Sequence, residues 1–156
     1  MKIYSILLHD YLSSRSQSSP NAQVAVSLSR MAEEMRTDKG VILRALKSLE
    51  QEGTIGKEGF DSQRTRIYKI NKQSTLDFDL NYLDVFPSAI QAYIYHIISQ
   101  YKVMPSYKEI ALESRLSEGT VRRVFSALID QKHIKNIALV GGKSGKHVLA
   151  KRKTST

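Results

Sequence analysis

Lys39, Arg44 and Lys47 stand along one stretch of chain with no acidic residue among them before Glu50. All three are hydrogen-bond donors without acceptors. An ammonium acts as a point charge that seeks phosphate, whereas a guanidinium fork can also grip guanine O6 and N7. Gly40 lies among them, where a missing side chain lets a backbone approach a ligand closely or lets a helix start pack tightly. A second set follows downstream: Glu118, Gly119, Thr120, Arg122, Arg123 and Ser126. Thr120 offers a methyl for thymine or a hydroxyl for phosphate. A third set, Arg64, Arg66, Lys143 and Lys146, falls in turn-rich segments, where cations contact phosphates or an adjacent minor groove with little sequence preference.

Other chemistry finds little support. His9, His96, His133 and His147 lie far apart, and there is no cysteine, so neither a metal site nor a disulfide is expected. No Ser/His/Asp set or carboxylate pair is convincing, and Gly141-Gly142-Lys143-Ser144-Gly145 lacks the spacing of a phosphate-binding loop. We therefore expect no catalytic residue, no cofactor and no metal. No effector pocket is visible either. The formal charge of +9 and pI near 9.8 point to a polyanionic partner. After Asp130 every charged residue is basic, while Asp77, Asp79 and Asp84 cluster mid-chain. The apolar start, Ile3 to Leu8, is too short for a signal or a membrane span, and with the lack of cysteine it suggests a cytoplasmic protein with no membrane partner.

The elements that must carry these side chains read clearly. Leu28, Met31, Ala32 and Met35 share one helical face. Arg36-Thr37-Asp38 interrupts the pattern, and Thr37 is expected to cap the next helix. That helix buries Ile42, Ala45, Leu46 and Leu49, ends at Gly53, and turns Lys39, Gly40, Leu43, Arg44 and Lys47 outward. A shift of 79 residues lays Ser106–Ile134 on Ser27–Ile55 without a gap, matching eight identical residues, among them Gly40 with Gly119 and Arg44 with Arg123. Ser117 then supplies the second cap. The register of caps, turn and apolar rows indicates an internal duplication. Arg44 and Arg123 also admit a structural reading, as ion-pair partners of Glu34 and Glu113.

Around these helix pairs, Lys2 to Ser14 reads as a covering helix, Ser13 to Asn21 as a polar loop, and Val24 to Val26 as a short strand. Thr54–Lys57, a turn through Gly59-Phe60-Asp61-Ser62, and Arg64–Ile70 form a strand pair with Arg64 and Arg66 near its tip or outer face. Phe78, Leu80 and Tyr82 suggest a packed extended connector. Pro87 suits the first turn of a helix whose apolar face runs from Ile90 to Tyr101. The second strand pair runs Ile134 to Val140, turns at Gly141–Gly145, and returns through Lys146 to Ala150. The expected division is residues 1–73, a connector 74–86, a second domain 87–150, and a basic tail 151–156.

The order of a helix, a Ser/Pro loop, SLSRMAEEMRTDKGVILRALKSLEQEGTI and a basic RTRIYKI strand resembles the winged helix-turn-helix domains of phage and plasmid replication proteins and related regulators. PSYKEIALESRLSEGTVRRVFSALIDQKHI is similar to the same superfamily. The resemblance implies an α+β, mostly helical fold with two winged helices in tandem. Its implied function is sequence-preferring binding of double-stranded DNA, in transcriptional regulation or replication initiation, on a mobile element. Such domains usually carry a glycine in the turn and a serine before the second helix; this chain has Arg36 and Thr37 in the first copy and Arg115-Leu116-Ser117 in the second, so the first turn is the less typical one. A winged helix can instead be a protein-interaction module, so a host protein stands as the alternative partner, and a homodimer stays open. Two unequal reading heads on one chain imply unlike half-sites about 10 base pairs apart.

Overall fold

A computed structural model describes residues 3–17, 19, 21–137 and 146–149, and divides the chain into two compact units, residues 1–85 and 86–156. The fold is mixed α+β.

Unit 1 opens with α1 (Ile3–Ser16), which ends two residues later than its apolar pattern suggests. Its inner face buries Ile3, Leu7, Leu8, Tyr11 and Leu12 against the rest of the unit, while Ile6 is half-buried. Next come β1 (Gln23–Ala25), α2 (Leu28–Glu34) and α3 (Lys39–Gln51), then β2 (Ile55–Phe60), β3 (Arg66–Ile70) and a short α4 (Tyr82–Val85). The sheet is antiparallel in the order β1-β3-β2, with Val24 opposite Tyr68 and Ile55 opposite Ile70. Helix, strand, helix pair and ribbon together make a winged helix. Its core joins Leu8 and Leu12 of α1 to Met31, Met35, Ile42, Leu46, Leu49 and Ile55, none more than 3% exposed.

Several expectations need correcting. Thr37 does not cap α3. Asp38 does, its Oδ1 accepting from the Val41 amide at 2.9 Å, because the turn spends one more residue before the helix begins. Gly59 and Phe60 belong to β2, and the turn is Asp61–Thr65, so Arg64 sits in the turn at φ +61 rather than in a strand. The segment after β3 is not simply extended. The buried carboxylate of Asp10, 7% exposed, accepts from the Ser74 hydroxyl and from the Asp77 and Phe78 amides, each at 2.9 Å. This anchors residues 74–78 to α1, and α4 follows. An open groove of about 620 Å³, lined partly by Asp10, Tyr11, Arg15 and Phe78, runs beside that anchor, a feature the sequence did not show.

Unit 2 contains α5 (Ala89–Ser99), α6 (Tyr107–Ser114), α7 (Glu118–Asp130), β4 (Ile134–Ile137) and β5 (Lys146–Leu149). Pro87 lies outside α5, which Ser88 caps by accepting from the Gln91 amide. Helix α5 is buried at seven successive positions, Ala92 to Ile98, so it is a core helix rather than an amphipathic one. It stops before Tyr101, whose hydroxyl instead donates to Glu113. Phe86 packs on Tyr95 and His133, with ring centroids 4.8 and 4.6 Å away. The antiparallel pair β4-β5 places Ile134 opposite Leu149. The expected turn at 141–145, Ala150 and the basic tail lie outside the described residues.

The 79-residue shift extends from sequence into backbone detail. Helices α3 and α7 are both 13 residues long and start at equivalent positions, Lys39 and Glu118. Ser27 and Ser106 both cap their helices, as do Asp38 and Ser117. Arg36 and Arg115 both take left-handed backbone, at φ 54 and 61, as do Gly53 and Lys132 at φ 74 and 64. After both α3 and α7 the chain then closes back with a six-to-one bond, Thr54 N to Leu49 O and His133 N to Leu128 O. The same turns are built in both units although Asp38 answers to Ser117 and Gly53 to Lys132.

Candidate nucleic-acid interface

Helix α3 presents the clearest site. With Ile42, Ala45, Leu46 and Leu49 turned into the core, Lys39, Leu43, Arg44 and Lys47 are all exposed. None of the three cations is held by an ion pair among the described residues. The alternative role for Arg44 is not realised: Glu34 is taken by Arg30 at 3.0 Å. Burial pushes the Glu34 carboxyl up, but Arg30 and the neighbouring Tyr11 hydroxyl outweigh it and hold it below its ordinary value. Gly40 sits tight against the cap, since a Cβ there would come within 3.2 Å of Asp38 Oδ1 and 3.8 Å of Arg44 Nη1. Tight packing at the helix start is thus one reason for a glycine at position 40.

The turn before α3 is secured by Arg36. Left-handed backbone costs an arginine about 1 kcal/mol or more relative to glycine, and the side chain offsets this with four hydrogen bonds. Its Nε and Nη2 donate to the two carboxylate oxygens of Asp84 at 2.8 Å each, and Nη1 donates to the carbonyls of Glu34 at 2.6 Å and Glu33 at 3.4 Å. The bidentate bond from Arg36 holds the Asp84 carboxyl below its usual range. Arg36 is therefore spent on the fold and does not join the outward cations.

Helix α7 carries a different face. Ser117 Oγ accepts from the Thr120 amide at 3.2 Å and lies 2.9 Å from Thr120 Oγ1, which accepts from Arg123 Nη2 at 3.3 Å. This chain leaves Arg123 exposed but directed toward the helix start. The alternative partner of Arg123, Glu113, is engaged by Tyr101. Arg122 is less available: its guanidinium lies over the Tyr107 ring at 4.9 Å, and Glu118 stands 3.9 Å from it. Tyr107 in turn meets Phe125 edge-on at 5.0 Å. Gly119 differs from Gly40, because a Cβ there would meet only Ser117 Oγ, at 4.0 Å. Glu118 and Ser126 are exposed.

The first wing places Arg64 at its exposed tip. Asp61 Oδ1 ties the turn by accepting from the Gln63 and Thr65 amides at 2.9 and 2.8 Å. Arg66 is half-buried and lies 5.0 Å over the ring of Phe60. Lys143 falls outside the described residues, and Lys146 begins β5. Thus Lys39, Arg44 and Lys47 meet on one helix, Arg64 and Arg66 on one ribbon, and Glu118, Thr120, Arg122 and Arg123 around a second helix start. Sequence reasoning passed over Asp10 and Phe60. Asp10 was signalled by a carboxylate three residues after Leu7 on the buried face, and Phe60 by the glycine before it.

Among the described residues no group of acidic and histidine side chains could hold a metal, and no helix is long and apolar enough to cross a membrane. No protein-family model matches the chain, and no curated protein does. Solved structures show a loose likeness. A point mutant of MepR from Staphylococcus aureus is 15% identical with a TM-score of 0.36, covering 83% of this chain and 75% of that one. MepR itself, a transcription regulator of the multidrug efflux pump MepA, gives 16%, 0.34, 84% and 75%. The DIP2311 protein of Corynebacterium diphtheriae gives 14% and 0.34, covering 96% of this chain and 26% of that one. A likeness of this size says nothing about activity.

Proposed function

We propose that the chain is a non-enzymatic, cytoplasmic protein with two winged helices in tandem that binds double-stranded DNA with sequence preference. It acts as a transcriptional regulator, or as an initiator or regulator of replication, of a mobile element. The observation that supports this best is the outer face of α3, where Lys39, Arg44 and Lys47 are exposed on a helix whose opposite face is fully used by the core. A +9 chain with such a face meets phosphate at long range and base edges at short range. On this reading Arg44 and Arg123 read bases, while Lys39, Lys47, Arg64, Lys143 and Lys146 hold phosphates.

The alternative, a protein-interaction role, has one observation in its favour: Val103 and Leu112 of unit 2 are 78% and 73% exposed. Selection of bound sites from a random duplex library with the full chain tests the proposal. A non-palindromic consensus with two unlike halves supports it, and an inverted repeat of that unit would add a homodimer. Recovery of no consensus would move the function to the protein partner.

A further inference from the structure

Phe60 is 61% exposed at the outer end of β2, and its direction is set by a bulge. Lys57 pairs with Tyr68, the register then shifts across Glu58, and Gly59 pairs with Ile67 and Phe60 with Arg66. Opposed residues of an antiparallel ladder share a face, and successive residues alternate. Phe60 therefore lies on the face of Arg66, Tyr68 and Ile70, the last two of which are buried. A regular strand running on from Lys57 would have turned Phe60 to the opposite face. Bulges re-aim side chains in this way. The cost falls on Gly59, at φ +108, where nothing lies within 4 Å of an added Cβ, so it is the backbone conformation that calls for glycine.

The fold thus directs an aromatic ring along its core face but beyond the core. The ring is also held, by the Arg66 guanidinium over it at 5.0 Å. Arg64 stands exposed in the adjoining turn. In that turn Asp61 Oδ1 accepts from two backbone amides, and the carboxylates of Asp61 and Glu58 are the opposing charges nearby. The distal ribbon is an apolar edge flanked by two guanidinium groups. That combination suits the minor groove of duplex DNA, where arginines follow the negative potential and phenylalanine can wedge between base steps.

We propose that Phe60 is a minor-groove wedge. It enters beside the segment read by α3 with its uncovered edge, partly unstacks one base step and kinks the duplex, with Arg66 staying over the ring and Arg64 on a flanking phosphate. This rests on the duplex-DNA reading above and adds a preference for a flexible pyrimidine–purine step at a position that α3 does not touch. The test uses the full chain on a selected duplex carrying 2-aminopurine at each flanking step in turn, with energy-transfer dyes at its ends. The wild type should raise 2-aminopurine fluorescence about two-fold or more at one step and shorten the end-to-end distance, as unstacking and kinking require. Phe60→Ala should abolish both signals while still binding, and Phe60→Leu should retain part of each. Because Phe60 is exposed, an unchanged melting temperature will show that both variants fold. A fluorescence rise that survives Phe60→Ala, or wild-type binding to straight and fully stacked DNA, overturns the wedge. Failure of the wild type to bind any duplex at low salt overturns the duplex reading itself, and the wedge with it.

Discussion

Gly119→Ala should make the protein more stable and a poorer DNA binder. Gly119 is the second residue of α7, after the cap Ser117 and Glu118. Its added methyl would meet only Ser117 Oγ, at 4.0 Å, an ordinary contact. Alanine then gains about 0.5–1 kcal/mol by restricting the unfolded chain more than glycine does. For a unit of this size that corresponds to a rise of about 2–8 °C in melting temperature. Gly40→Ala is the control at the equivalent position. There the methyl comes within 3.2 Å of Asp38 Oδ1, the atom that caps α3, so the helix gain is offset by a disturbed cap worth about 1 kcal/mol. Its stability should stay level or fall slightly. Urea denaturation followed by circular dichroism reads both variants, and fluorescence anisotropy on a selected duplex reads affinity. On the DNA reading, the open space at Gly119 lets the start of α7 approach phosphate, and the methyl should weaken binding by up to about tenfold, or 1.4 kcal/mol. A loss of stability in Gly119→Ala would refute the account of the first turn. A gain of stability with unchanged affinity would refute close approach by α7.

Asp10→Ala strands the Ser74 hydroxyl and two backbone amides, and should cost about 2–4 kcal/mol in urea denaturation; a cost below about 0.5 kcal/mol would mean that residues 74–78 are anchored by other contacts. Arg44→Ala or Arg123→Ala should cost about 1–3 kcal/mol on the preferred site and relax selectivity there, whereas Arg64→Ala should weaken all duplexes alike and reduce the salt slope by about one unit. The reverse pattern in competition binding would exchange the roles of helix and wing. Burial, aided by Glu34 and Glu113 respectively, pushes the hydroxyls of Tyr11 and Tyr93 up to about 12. The folded protein then keeps protons that the unfolded chain loses near pH 10, so stability is complete below that pH and declines as pH rises toward 12. Tyr11→Phe and Tyr93→Phe should each flatten the fall in urea midpoint over that window, and an unchanged slope in both would contradict the assignment.

The helix pairs were legible because their apolar rows at three- and four-residue spacing have one burial solution, and the core found at Met31, Ile42, Leu46 and Leu49 is the row read from sequence. What escaped the reading depends on contacts across long separations. Arg36 in left-handed backbone makes sense only with Asp84, 48 residues away. Asp10 is buried because residues 74–78 bring their amides to it. Thr37 and Asp38 are both competent caps, and only the length of the turn decides between them. Phe60 was placed in a turn because Gly59 looks like a turn residue, whereas its positive φ serves a bulge. At the candidate site, sequence identified the outward cations of α3, but it could not show that Arg122 folds back onto Tyr107.

Equilibrium binding of the full chain to random-sequence duplex, measured across a salt series, tests the central claim most directly. With Lys39, Lys47, Arg64 and at least one wing cation of unit 2 on phosphates, the account predicts measurable binding at low salt. The logarithm of the association constant should then fall linearly with the logarithm of salt concentration, with a slope of about −3.6 or steeper. Absence of binding at low salt, or a slope near zero, would contradict it.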